Sequence, residues 1–224
     1  MRGKTIVITG AFGALGRAAA IEAKAQGADI AMLDVHVGAQ DITAQELAIA
    51  ADITDLAAAE RAMAQIRAHT GRIDALLNIA GGFVWERVDE GAVATWERMF
   101  ALNLKTALTA SKAALPHLLE TGGAIVNVGA MSALKADAGM GAYAASKQGV
   151  MKLTEAMAAE LKGKVRVNAV LPSILDTPQN RADMPKADPA PWVQPADLAR
   201  VMLFLASENA RAVTGALVPV TGQV

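Results

Sequence analysis

The chain has 224 residues, enough for one domain with a core of its own. Its 21 lysines and arginines nearly balance 22 acidic residues, and the formal charge of −1 argues against nucleic acid or an anionic membrane as partner. The absence of cysteine excludes disulfides, thiolate catalysis and cysteine metal sites, and no uncharged apolar run reaches the roughly 18–20 residues of a membrane span.

In chain order, a strand is predicted over 4–9, where Thr5-Ile6-Val7-Ile8 follows closely on Met1. With no leader-like segment ahead of it, the expectation is a soluble, cytoplasmic protein. The strand runs into Thr9-Gly10-Ala11-Phe12-Gly13-Ala14-Leu15-Gly16, and a helix is predicted over 14–26. Gly10, Gly13 and Gly16 let the backbone turn tightly and bring amides, with Phe12 and Leu15 in the same turn, against a pyrophosphate at a helix N-terminus. The spacing only partly matches the general dinucleotide fingerprint, so a plain strand-to-helix turn is the competing reading. The second strand, 28–34, closes on Asp34, 18 residues beyond Gly16. A carboxylate there can accept hydrogen bonds from ribose hydroxyls and repels a 2′-phosphate, which predicts NAD(H) over NADP(H). Only 17 residues separate Asp34 from Asp52, too few for a full helix and a strand, so 35–45 reads as a loop or single helical turn before a strand over 46–51. Asp52, followed by Ile53, either hydrogen-bonds an adenine amine or is a solvated strand-end carboxylate.

A helix over 55–69 and a strand over 73–79 come next, the latter closing on Asn78-Ile79-Ala80-Gly81-Gly82. Ala80 and Gly81 would let the backbone approach a cofactor, with Asn78 bracing neighbouring strands. A long helix over 94–119, a strand over 123–129 and a helix over 142–162 follow. The last carries Tyr143 and Lys147 four residues apart on one face, where an ammonium can lower a phenol's pKa from about 10 and make it a usable proton donor. After a strand over 164–170, six prolines between 172 and 195 forbid one long helix, and the segment reads as a substrate lid or an ordinary surface loop. A helix over 195–207 and a strand over 216–220 complete the pattern. Continuous apolar strands alternating with helices predict a single α/β domain over 1–224: a Rossmann-like, doubly wound parallel sheet of about seven strands with helices on both faces. His36, His69 and His117 fall on separate elements with no metal-ligand spacing, so no metal is expected. The glycine turn, Asp34 and the Tyr143–Lys147 pair together imply nucleotide-dependent redox chemistry on a small molecule.

These residues resemble the short-chain dehydrogenase/reductase family over essentially the whole chain. Thr9, Gly10 and Gly16 match its TGxxxGxG turn, with Ala14 at the middle glycine and Gly13 one place earlier. Asn78, Ala80 and Gly81 match its NNAG strand end, with Ile79 for the second asparagine. Asn103 is similar to the helix asparagine that holds a proton-relay water on the lysine. Pro172-Ser173-Ile174-Leu175-Asp176-Thr177 resembles the PG…T segment, which implies that Pro172, the Leu175 backbone and the Thr177 hydroxyl face the nicotinamide carboxamide. The family's serine lies 13 residues before the tyrosine, and here that position is Ala130. Ser132 would need a different backbone path to replace a hydroxyl that elsewhere polarises a carbonyl.

The dihydropteridine reductase branch lacks this serine, and the likeness to it is local: Gly10 to Gly16, Ala80-Gly81-Gly82, Gly129-Ala130-Met131-Ser132-Ala133-Leu134 and much of 169–192. The resemblance implies NADH-dependent hydride transfer to a C=O or C=N group, a quinonoid dihydropterin among the candidates and small ketones, aldehydes or imines beside it. Tyr143 would deliver the proton, Lys147 would lower its pKa and hold the ribose, and Asn103 would anchor the water chain. Arg181, Met184 and Trp192 would shape the substrate pocket with Ala130 and Ser132. A nucleotide-binding protein with little catalysis, in which Ala130 records lost chemistry, is the competing class. The resemblance also implies a homodimer or homotetramer built on helices 94–119 and 142–162.

Overall fold

The computed structural model describes residues 1–37 and 47–224. Among the described residues, seven parallel strands form one sheet: β1 (Thr5–Thr9), β2 (Asp29–Asp34), β3 (Leu47–Ala50), β4 (Ala75–Asn78), β5 (Ala124–Val128), β6 (Arg166–Pro172) and β7 (Leu217–Val220). Their spatial order is β3-β2-β1-β4-β5-β6-β7, so the direction of winding reverses between β1 and β4. Each predicted strand is present within two residues at either end. Most of 35–45, expected as a loop or single turn, lies outside the described residues.

The unbroken apolar runs have a direct cause. Along β1, Ile6 and Ile8 point into one core and Val7 into the other; β4 repeats this with Leu77 and Leu76, and β5 with Val126 and Ile125. A strand with a core on each side has no polar face, so alternation disappears from its sequence. One core is closed by α1 (Ala14–Ala25) and α7 (Pro195–Ala206). The other is closed by α2 (Leu56–Thr70), α4 (Thr106–Thr121) and the end of α5 (Gly141–Glu160). Local chemistry sets the helix ends: Asp55 caps α2 by accepting from the Ala57 amide at 3.0 Å, and Gly71 and Gly122 end α2 and α4 in the left-handed region.

Two segments depart from the expected pattern. The helix predicted over 94–119 is three pieces in continuous succession: α3 (Val93–Met99), a π-helical stretch (Phe100–Lys105), then α4. Hydrophobic periodicity does not register such a widening, which is frequent at functional sites, and here it carries Asn103. The proline-rich segment 172–195 contains the six-residue helix α6 (Pro178–Asp183), started by Thr177 as N-cap with Pro178 in the first turn. Both ends of this segment are tied together, with Val193 N donating to Ile174 O at 2.9 Å and Asp176 N to Val193 O at 2.8 Å.

Candidate active site

At the switch point, the carboxyl ends of β1 and β4 meet through Thr9, whose hydroxyl accepts from the amides of Ile79 (3.1 Å) and Ala80 (3.2 Å). This close approach dictates the neighbouring glycine. Gly10 has φ +63°, and a Cβ there would sit 2.8 Å from the Ala80 backbone. One turn later, a Cβ on Gly16 would come within 2.2 Å of Gly10 O, so only glycine lets α1 start this near the turn. Gly13 is the N-cap of α1 and supplies no side-chain cap, which leaves the first-turn amides to a ligand or solvent. Asp34, at the end of β2, accepts from Phe12 N (3.1 Å) and Val35 N (2.8 Å), fixing the carboxylate beside the glycine turn. The Phe12 ring is covered by the Arg17 guanidinium, whose carbon lies 5.4 Å from the ring centroid, and Arg17 Nε donates to Phe12 O at 2.9 Å. Leu15 is buried in the core, so its side chain is not part of the cleft. A cradle this tight, with a carboxylate at its rim, fits a dinucleotide.

Asp52 is exposed and accepts from the Thr54 hydroxyl (2.7 Å) and amide (2.9 Å), and these bonds lower its pKa. Ile53 is buried, and its carbonyl accepts from the Thr109 hydroxyl. Asn78 is buried too, and its amide nitrogen forms a brace. Nδ2 donates to Asn127 Oδ1 (2.8 Å) and Ser111 Oγ (3.0 Å), and Asn127 passes the link to Thr154 on α5 at 2.8 Å. Asn78 Nδ2 thus braces the framework, while its Oδ1 is buried without a partner among the described residues.

Around Gly81 the catalytic candidates converge. A Cβ placed there would lie 2.5 Å from Asn103 Oδ1 and 3.4 Å from Lys147 Nζ. Asn103 clamps the Gly82 peptide, accepting from its N–H and donating to its carbonyl, both at 3.0 Å, and also donates to Ser146 Oγ at 2.9 Å. Ser146 in turn donates to Tyr143 O at 2.7 Å, so the π-helical stretch is bonded to the helix that carries the tyrosine. Lys147 is buried, donates to Val128 O at 2.8 Å, and is pushed down to about 8 by burial. Burial pushes Tyr143 up to about 12. Desolvation disfavours both charged forms, so burial acts on the phenol in the direction opposite to the lowering expected from Lys147. At neutral pH the phenol keeps its proton and is available as a donor. Phe83 stands edge-on to the Tyr143 ring, with centroids 5.0 Å apart and planes at 84°.

Ala130 follows β5 in extended conformation, and Ser132 lies in the 3₁₀ turn Met131–Ala133 immediately after it. The Thr177 hydroxyl accepts from Asn180 N (3.1 Å) and Leu175 O accepts from Asn180 Nδ2 (2.8 Å), which leaves the threonine's proton for an outside acceptor. Pro172 ends β6 opposite Val220. Of the residues expected to shape the pocket, Arg181 is bidentate to Asp176 at 2.5 and 2.8 Å, Asp176 being held down at about 2 by Arg181 and then Gln194. Trp192 is buried at the base of the segment, and Met184 is half-buried just after α6. Sequence reasoning passed over Thr9 as a clamp, Ser146, and the aromatic residues after Gly82. A compositional signal marked the last group: Phe83, Trp85, Trp96 and Phe100 are half of the chain's eight aromatic residues.

A switch-point dinucleotide cradle beside a buried lysine, a protonated tyrosine and a clamping asparagine defines a nicotinamide-dependent oxidoreductase. The short chain dehydrogenase family model matches residues 4–188, and the chain belongs to that family. It is 38% identical to meso-2,3-butanediol dehydrogenase from Serratia marcescens, over 98% of this chain and 93% of that protein. It is 32% identical to (−)-trans-carveol dehydrogenase from Rhodococcus erythropolis, over 98% of this chain and 96% of the relative. Among solved structures, carveol dehydrogenase from Mycobacterium avium in complex with NAD superposes with a TM-score of 0.89 at 29% identity, over 99% of this chain and 97% of that one. These are alcohol dehydrogenases by name, so the local likeness to dihydropteridine reductase gains no support from them.

Proposed function

We propose that the enzyme interconverts a small secondary alcohol and its ketone, with NAD(H) preferred over NADP(H). The observation that carries this reading is the convergence of Lys147, Asn103 and Gly81 one helical turn from Tyr143, with Asp34 fixed at the rim of the glycine turn. The relatives named for butanediol and carveol support the substrate class. The nicotinamide supplies or accepts the hydride. The glycine turn and the first amides of α1 would hold its pyrophosphate, Asp34 the adenosine ribose, Lys147 the nicotinamide ribose and Thr177 the carboxamide.

In the reductive direction Tyr143 would give its proton to the carbonyl oxygen as the carbon is reduced, leaving the alcohol. Lys147, positive when bound beside the phenol, stabilises the phenolate left behind, and Asn103 keeps the Gly82 peptide and α5 in register as the proton leaves. With Ala130 in place of a serine, carbonyl polarisation falls to Tyr143 alone, which favours carbonyls activated by their own substituents, as in diketones. The test is NADH and NADPH oxidation over ketones, diketones, imines and quinonoid dihydropterin, with Tyr143→Phe as control. Ketone turnover that favours NADH and is lost in the variant is expected. Cofactor binding without turnover on any member would favour a nucleotide-binding role, and pterin turnover alone would reinstate that branch.

A homodimer or homotetramer through α3, α4 and α5 accompanies this reading. Val93, Phe100 and Leu108 are exposed on that face, an arrangement that association would bury. A monomer by light scattering at micromolar concentration would refute it.

A further inference from the structure

Phe83 directly follows the Gly81-Gly82 peptide clamped by Asn103, and its ring edge meets the ring of Tyr143. About half of Phe83 remains exposed (49%), so the ring that touches the tyrosine is also open to solvent. Two residues on, the Trp85 indole lies over Gly139: a Cβ on that glycine would be 2.2 Å from Cε2 and 2.3 Å from Nε1. Glu86 N donates to Gly139 O at 2.9 Å and fixes the loop in this place, while 58% of Trp85 stays exposed. Trp96 on α3 closes on Gly141, 3.2 Å from where its Cβ would be, at the start of the helix carrying Tyr143. An aromatic shelf thus runs from the phenol outward. Its exposure is unlike that of core aromatics, and its anchoring by backbone bonds is unlike that of a loose loop.

The arginines of the two segments beside this shelf are already paired. Arg87 is bidentate to Asp89 at 3.0 and 2.7 Å, and Arg181 is bidentate to Asp176. Neither the loop arginine nor the arginine of the 172–195 segment is disposed to receive a substrate carboxylate or phosphate.

We infer that Phe83 and Trp85 determine specificity, selecting an uncharged carbonyl compound with a cyclic or planar apolar body. The inference rests on the reading of Tyr143 as proton donor. A flat apolar group laid on exposed rings removes area from water on both partners, whereas a short hydroxyketone covers little of the shelf and a keto acid strands its charge there.

The test uses the full chain with NADH and three probes: cyclohexanone, acetoin and pyruvate. Wild type is compared with Trp85→Ala and with the gentler Phe83→Leu, which keeps apolar volume if the alanine variant folds poorly; circular dichroism melting checks each. Trp85→Ala should lower kcat/KM on cyclohexanone about tenfold, mainly through KM, and change acetoin by less than about twofold. Phe83→Leu should move the same ratio in the same direction while NADH affinity, read by NADH fluorescence, holds. An equal fall on both ketones, a wild-type preference for pyruvate, or variants that alter only the oligomeric state would overturn the inference. No carbonyl turnover by the wild type would overturn the reading beneath it as well, whereas turnover with an unchanged ratio would overturn the inference alone.

Discussion

Replacing Gly81 by alanine puts one methyl group into the point where the site converges. The added carbon would start 2.5 Å from Asn103 Oδ1 and 3.4 Å from Lys147 Nζ, against an ordinary contact of 3.4 Å or more. Asn103 must therefore retreat by roughly an ångström, and its two 3.0 Å bonds to the Gly82 peptide cannot survive that. Two such bonds are together worth about 1–3 kcal/mol and overpacking adds about 1–3 kcal/mol, for a loss of about 2–6 kcal/mol. At about 2–4 °C per kcal/mol for a chain of this length, Tm should fall by roughly 4–24 °C. Catalysis should suffer more than stability, because a misplacement of about 1 Å at the reacting centre costs about a hundredfold. Scanning fluorimetry gives the first number, and steady-state NADH oxidation on the best ketone of the panel gives the second. Gly81→Ala with Tm within about 1 °C of wild type and kcat within about twofold would show that Asn103 and Lys147 do not crowd this peptide.

Asp34→Ser removes the carboxylate that repels a 2′-phosphate, and the kcat/KM ratio of NADH to NADPH should fall by about tenfold or more; an unchanged ratio would remove Asp34 from cofactor choice. Asn78→Ala should lower Tm by leaving Asn127 Oδ1 and Ser111 short of a donor, at about 1–3 kcal/mol, while KM for NADH stays put; a large KM effect with an intact Tm would return Asn78 to the cofactor. Lys147 goes from 10.5 unfolded to about 8 folded, so between these values the unfolded chain holds more protons and stability rises with pH. Tyr143, raised from 10.0 to about 12, reverses the slope above pH 10. Melting of wild type and Lys147→Met from pH 7 to 10 should show a rise of roughly 3 kcal/mol confined to the wild type, and parallel curves would count against the buried lysine.

The sheet was legible because burial on both faces erases alternation, and a run such as Ile6-Val7-Ile8 can hardly be anything but a central strand. The glycine turn was legible because Gly10 and Gly16 answer backbone contacts that no other residue tolerates. The π-helical stretch was not, since the apolar pattern of 94–119 has the same period whether or not one turn carries an extra residue. Nor could spacing tell that Arg181 would find Asp176 five residues earlier, or that Trp192 would turn inward, because those outcomes depend on how the chain closes back from Val193 onto Ile174. The burial that raises the Tyr143 pKa was hidden for a related reason: sequence places a lysine one turn from the phenol but does not say how much water the fold removes from both.

The Thr9 hydroxyl, whose oxygen takes both the Ile79 and Ala80 amides, has a consequence for how a ligand is received. It rivets the two halves of the sheet at the seam where they wind apart, so the floor of the crevice has its final shape before anything enters. The conformational freedom of that seam is surrendered during folding and not at the moment of binding, which spares association the entropy of ordering it. Adaptation to different substrates is then left to the segments that hang over the crevice, the aromatic loop after Gly82 and the stretch beyond Pro172, while the floor beneath them stays constant.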